Sequence, residues 1–168
     1  GPRPRKTWKL NDAPTVNKFY ETLKSAPEFA GFADGFLWGL VSNAFHESGL
    51  ISNNAGDSEA DIGRRTYVPI KKWCAFGYWQ LQLCSIDGAG TRFLKERAPP
   101  DLYNNHINTG RKDAAGKRTP LPEDEQQAIF DLITVEKNQF EFVAKLMKEI
   151  PILKNMWNDP SVTAYRAA

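Results

Sequence analysis

One carboxylate, Glu47, closes a run that is otherwise almost wholly apolar, FLWGLVSNAF from Phe36 to Phe45. Bulky side chains fall on several faces of that run, the pattern of a helix buried in a core rather than one lying on a surface. Gly49 follows within two residues, and glycine is the usual helix stop because it takes the left-handed turn without steric penalty. Glu47 is therefore expected at the C-terminal end of a buried helix, at the mouth of a core. Low dielectric disfavours a carboxylate there, and so does the negative end of the helix dipole. Both favour the protonated acid, which is what a general acid for glycosidic-bond cleavage requires. Against this stands the ordinary reading of a helical glutamate as a solvated surface residue.

A second stretch strengthens the case. In FGYWQLQ, Phe76 to Gln82, a glycine lies among aromatics and two glutamines follow. Taken with NAFHESGL, Asn43 to Leu50, this resembles the lysozyme superfamily, especially goose-type lysozymes, lytic transglycosylases and phage tail lysozymes. Asn43, His46, Glu47 and Ser48 are similar to the phage tail form Asn-x-x-His-Glu-Ser, and Gly77 to Gln80 supply Gly-x-x-Gln. The two motifs cover a small part of the chain. The resemblance implies that Glu47 is the catalytic acid, that Ser48 holds it in place, and that Gly77, Gln80 and Gln82 line a glycan cleft. It makes Gln80 a residue that hydrogen-bonds the glycan or positions Glu47, where the plainer reading is a satisfied buried amide. Tyr78 and Trp79 are candidates for stacking on sugar rings, although alternation along a strand turns only one of them into a cleft.

A second acid is harder to assign. Asp57, Glu59 and Asp61 alternate, so an extended chain turns all three carboxyls to one side. Asp57 or Asp61 is then a candidate base for a water, or a stabiliser of an oxocarbenium-like transition state. A solvated acidic loop is the competing explanation. A calcium loop of the EF-hand kind fits poorly, since Ile62 and Val68 stand where that pattern needs glycine and glutamate. Goose-type lysozymes place an aspartate shortly before their Phe-Gly-x-x-Gln; here Lys71, Lys72 and Trp73 precede Phe76, which is a departure from the pattern.

Other chemistries find less support. His46 adjoins Glu47 rather than a nucleophile motif, and reads first as a helix residue hydrogen-bonded locally. With His46 and His106 the only histidines, no zinc set is credible, and no cofactor is called for. Cys74 and Cys84 flank the FGYWQLQ stretch and have no thiol-protease signature around them. They could close a disulfide if the intervening segment turns back; two buried thiols is the preferred reading. The formal net charge of +2 gives no strong polyanion signal, and no nucleic-acid module is visible. Arg111, Lys112, Lys117 and Arg118 read as solvated loop charge compatible with weak attraction to an anionic cell wall. No stretch has the unbroken apolar length of a membrane span, and the N-terminus lacks a secretory pattern.

The elements that must position these residues follow from periodicity. A length of 168 residues, 41% hydrophobic and 25% charged, suits one soluble domain with a sizeable core. Residues 1–10 read as a flexible basic arm, with the opening Gly-Pro compatible with a cloning scar, and 11–168 as a single domain that continues past Ala168. Asp12 and Pro14 start an amphipathic helix through Val16, Phe19, Tyr20 and Leu23 that ends near Pro27. A second helix, Ala33 to Ser48, delivers Glu47. The polar segment after it closes on a β-branched patch, Tyr67 to Ile70, read as short strands or a hairpin. Ser85 to Arg97 is a short helix, and Asp101 to Thr119 an exposed loop or lid. Acids at Glu123 to Glu125 open a helix through Ile133, and another runs through Phe140 and Leu146 to stop before Pro151. Asp159 and Pro160 begin one more.

The expectation is a mainly helical α+β domain, lysozyme-like with a small β-region beside the cleft. The resemblance implies cleavage of the β-1,4 bond between N-acetylmuramic acid and N-acetylglucosamine in peptidoglycan. Glu47 protonates the leaving oxygen, and then either a water activated by Asp57 or Asp61 attacks, or the muramic 6-hydroxyl does so to give a 1,6-anhydro product. The partner is the glycan strand, with other virion proteins as further candidates, in a phage particle or an enzyme exported to the bacterial wall. A non-catalytic glycan-binding or structural virion module is the rival from another class.

Overall fold

The computed structural model describes residues 9–56, 75–84, 86–109, 121–150, 153 and 156–161, with backbone alone at 108 and 109. It is mainly helical, with a small antiparallel sheet. The described elements are helices α1 (Ala13–Ser25), α2 (Asp34–Ser48), α3 (Ala89–Arg97), α4 (Pro100–Thr109), α5 (Glu123–Ile133) and α6 (Glu136–Glu149). Three two-residue strands accompany them: β1 (Ala55–Gly56), β2 (Ala75–Phe76) and β3 (Leu81–Gln82). The chain forms two compact units, Gly1–Leu50 with Gln139–Ala168, and Ile51–Asn138.

In the first unit α1 begins with proline in its first turn, where a missing N–H costs nothing, and buries Val16, Phe19 and Leu23 along one stripe. Phe19 and Phe29 meet Phe140 of α6 edge-on, at centroid distances of 6.4 and 5.4 Å. Such T-shaped pairs bring the positive edge of one ring to the negative face of another. Tyr20 stacks on Trp38 at 4.2 Å, and its hydroxyl donates to Asp34 Oδ1 at 2.8 Å. That clasp joins α1 to the first turn of α2. The expected buried character of α2 is present: Phe36, Leu37, Gly39, Leu40, Val41, Ala44, Phe45 and Ser48 are all buried. Gly49 caps it at φ 65°, its N–H donating to the Phe45 carbonyl at 3.0 Å, so the glycine stops the helix as its position predicts. Leu50 follows at φ 64°, a left-handed conformation unusual for a branched side chain.

In the second unit the strands pair in the order β1-β2-β3, with Ala55 opposite Phe76, Gly56 opposite Ala75, and Ala75 opposite Gln82. Phe76 reaches Phe130 of α5 edge-on at 5.6 Å. Helix α3 approaches β3 so closely that a Cβ on Gly90 falls 2.8 Å from the Gln82 carbonyl, and one on Gly88 falls 2.4 Å from it. Only glycine permits that approach.

Two expectations change. The segment from Asp101 is not loop throughout: Pro100–Thr109 is α4, with proline in its first turn and Asp101 facing the positive end of the dipole. Its Asn-rich surface hides a buried anchor, His106, which has no solvent exposure. The helix expected from Ser85 begins at Ala89, after a turn at Ile86–Gly88. The Tyr67–Ile70 patch, the N-terminal arm through Trp8 and the loop at 110–120 lie outside the described residues. The Asp159–Pro160 segment is described as turn as far as Ser161.

Candidate functional site

Glu47 sits on the last turn of α2, in the first unit, between buried Phe45 and buried Ser48, and its own side chain is exposed. The low-dielectric surroundings expected for it are absent: the apolar run buries its neighbours, while position 47 faces water. Ser48 is buried and its Oγ donates to the Ala44 carbonyl one turn back, at 2.9 Å. The hydroxyl thus stiffens the turn that carries Glu47. His46, expected to be hydrogen-bonded locally, is not: Nδ1 is buried without a partner among the described residues, and Phe45 lies edge-on to the ring at 6.0 Å.

The residues expected to line a glycan cleft lie in the second unit, and Gly77 to Gln80 form the four-residue turn between β2 and β3 rather than a strand. Strand alternation therefore does not apply to Tyr78 and Trp79. Gly77 takes φ 87°, and Gln80 takes φ 51°, a left-handed conformation that costs a non-glycine residue about 1–2 kcal/mol. What offsets that cost is visible. The Gln80 side-chain Nε2 donates to the Asn54 carbonyl at 3.2 Å and to the Gly77 carbonyl at 3.0 Å. The Gly77 N–H donates to the same Asn54 carbonyl at 2.9 Å. Because both side-chain partners are carbonyl oxygens, the amide nitrogen must face them. Oε1 is then the outward atom; among the described residues it accepts from none, and it is not buried. A fixed amide with one accessible acceptor is suited to an N–H or O–H of a ligand.

Tyr78 is buried, and its hydroxyl donates to Glu136 Oε1 at 2.6 Å, with Ser52 as a second hydrogen-bonding partner. Burial, followed by the bond to Glu136, pushes the phenol well above its ordinary range. Tyr78 thus pins the turn, and of the two aromatics Trp79 keeps the exposed surface. That indole is half-exposed and edge-on to Tyr78 at 5.7 Å. Gln82 turns its Oε1 to the Cys84 N–H at 3.3 Å, so its amide also serves the hairpin. Cys84 is disulfide-bonded, which overturns the preference for two free thiols; Cys74 is the one other cysteine of the chain. A covalent staple beside a small hairpin restrains a turn whose sheet is too short to fix it alone.

Asp57 and Asp61 lie outside the described residues. Sequence reasoning missed Asn54, Ser52 and Glu136. Asn54 acts through its backbone carbonyl, for which residue type carries no signal, and Glu136 belongs to a distant helix. Among the described residues no group of three or more His, Cys, Asp or Glu is placed to hold a metal ion, and no described helix is long and apolar enough to cross a membrane. Comparison with known proteins gave no matching family model, no matching curated protein and no matching solved structure.

Proposed function

We propose that this chain is a peptidoglycan-cleaving glycosidase, a muramidase acting on the β-1,4 bond between N-acetylmuramic acid and N-acetylglucosamine, in a phage particle or exported to the bacterial wall. The observation that carries the reading is the Gly77–Gln80 turn. A strained glutamine, held by two hydrogen bonds on its nitrogen, presents a fixed acceptor, and backbone strain that neighbouring contacts sustain is characteristic of ligand-contacting positions. Glu47, exposed on a capped helix end, supplies the carboxyl. A glycan strand laid over it excludes water from the carboxyl that delivers a proton to the leaving oxygen. The oxocarbenium-like centre that results is captured by water, with Asp57 or Asp61 as base, or by the muramic 6-hydroxyl with Glu47 returning as base. No cofactor enters either route.

A second reading has its own support. The exposure of Glu47 in the free protein is equally the mark of a glycan-binding module without catalysis. The test is release of soluble fragments from purified peptidoglycan by the wild type and by Glu47→Gln. Loss of release in a folded variant supports the enzyme. Wall binding without release by the wild type supports the module.

A further inference from the structure

We infer that His46 is a ligand-binding residue whose imidazole is held in one tautomer, with Nε2–H offered to a carbonyl oxygen of the bound glycan. The inference rests on the glycan reading proposed above and adds to it a donor beside Glu47. Nδ1 is shut off from solvent and has no hydrogen-bond partner among the described residues. A neutral imidazole carries one N–H and one bare nitrogen, and the environment of each nitrogen decides which is which. A buried N–H without an acceptor is among the rarest defects in folded proteins, whereas an under-used acceptor is tolerated more often. The bare nitrogen is therefore Nδ1, and the proton sits on Nε2. Among the described residues that atom has no partner, and it is not buried, so the N–H reaches solvent.

The surroundings keep the ring in place. Phe45 is edge-on to it at 6.0 Å, and α2 closes just beyond at Gly49, so His46 lies on a helix end stopped by its cap. An imidazole so held can donate at Nε2 but cannot accept, since its one lone pair is buried. It thus selects pure acceptors over groups that need an acceptor themselves. On an uncharged stretch of wall glycan the strongest such group is the acetamido carbonyl, and an N-acetylated sugar is the ligand this donor fits.

The experiment uses the full chain labelled with 15N at histidine, titrated with tri-N-acetylchitotriose, while calorimetry measures binding by wild type and by His46→Phe. The expected result is an Nε2–H tautomer for His46 in the free protein and a shift of that N–H on adding the trisaccharide. Affinity is expected to fall about three- to tenfold in His46→Phe, the loss of one neutral hydrogen bond. An Nδ1–H tautomer overturns the inference. So does a trisaccharide that binds the wild type while the His46 resonances stay unmoved and His46→Phe binds as tightly. If the wild type binds no trisaccharide at all, the glycan reading falls and this inference with it, a result distinct from the preceding one. The NMR arm uses wild-type protein, so it decides the matter even if His46→Phe fails to fold.

Discussion

The hydroxyl of Tyr78 donates a 2.6 Å hydrogen bond to the carboxylate of Glu136, 58 residues further along the chain. One partner is buried in the turn that carries Gln80; the other is the first residue of α6. This bond lies within the second unit and ties its hairpin tip to Glu136, at a helix N-terminus where a carboxylate is also favoured by the dipole. Tyr78→Phe should destabilise the protein by about 1–2 kcal/mol, below the upper range for a bond to a charged group because Glu136 is exposed and regains water. Urea unfolding measures it. A midpoint unchanged from wild type would show that the bond contributes nothing in solution.

Gln80 separates strain from recognition. Gln80→Glu keeps the shape but has no N–H for the Asn54 and Gly77 carbonyls, so oxygen faces oxygen and stability should fall by about 2 kcal/mol or more. Gln80→Gly removes both bonds yet accepts φ 51° freely, and should change stability by less than about 1 kcal/mol. Gln80→Gly, which lacks the acceptor, should lose affinity for N-acetylglucosamine oligomers. Gln80→Gly binding them as tightly as wild type would remove Gln80 from the glycan site.

The contact of α3 with β3 makes a third case. Glycine to alanine inside a helix ordinarily gains about 1 kcal/mol. At Gly90 the new methyl meets the Gln82 and Leu81 carbonyls at 2.8 Å, and these are backbone atoms that cannot swing away. Overpacking of this kind costs about 1–3 kcal/mol, so Gly90→Ala is expected to lower the melting temperature despite its helix propensity. A raised melting temperature would mean that the helix and strand separate easily.

His106 sets a pH dependence. It has no solvent exposure, and burial lowers its pKa from 6.5 to about 4, with a hydrogen bond to the Leu83 backbone opposing the shift. Between those values the unfolded chain binds the proton and the folded chain does not, so stability falls as pH drops from 6.5 to about 4 and loses nothing further from this group below that. The span amounts to about 3 kcal/mol at 1.36 kcal/mol per unit. In His106→Gln, denaturant unfolding at pH 7 and pH 4 should differ by that much less than in wild type. An equal difference in the two proteins contradicts the assignment.

What was legible in the sequence was whatever repeats with a helical period. Val16, Phe19 and Leu23 announce α1, and the all-round apolar run from Phe36 with Gly49 behind it announces α2 and its end. Periodicity says that α2 is buried; it does not say which way one residue in its last turn points, and Glu47 faces water although Phe45 and Ser48 do not. Helix α4 was hidden because its Asn and Asp residues resemble loop composition, while its buried anchor is a single polar His106. The turn was legible as a motif but not as a geometry. Glutamine is seldom left-handed, so nothing local marks φ 51° at Gln80, and a bond from Tyr78 to a residue 58 positions away leaves no trace in spacing.

The central claim is tested most directly by mass spectrometry of the soluble fragments released from purified peptidoglycan by wild type, with Glu47→Gln as control. The account predicts muropeptides cut at the glycosidic bond, absent with the variant. Reducing muramic ends would identify water as the nucleophile, and 1,6-anhydro ends the muramic hydroxyl. Release by Glu47→Gln at the wild-type rate, or no cleavage at all by folded wild type bound to the wall, would contradict it.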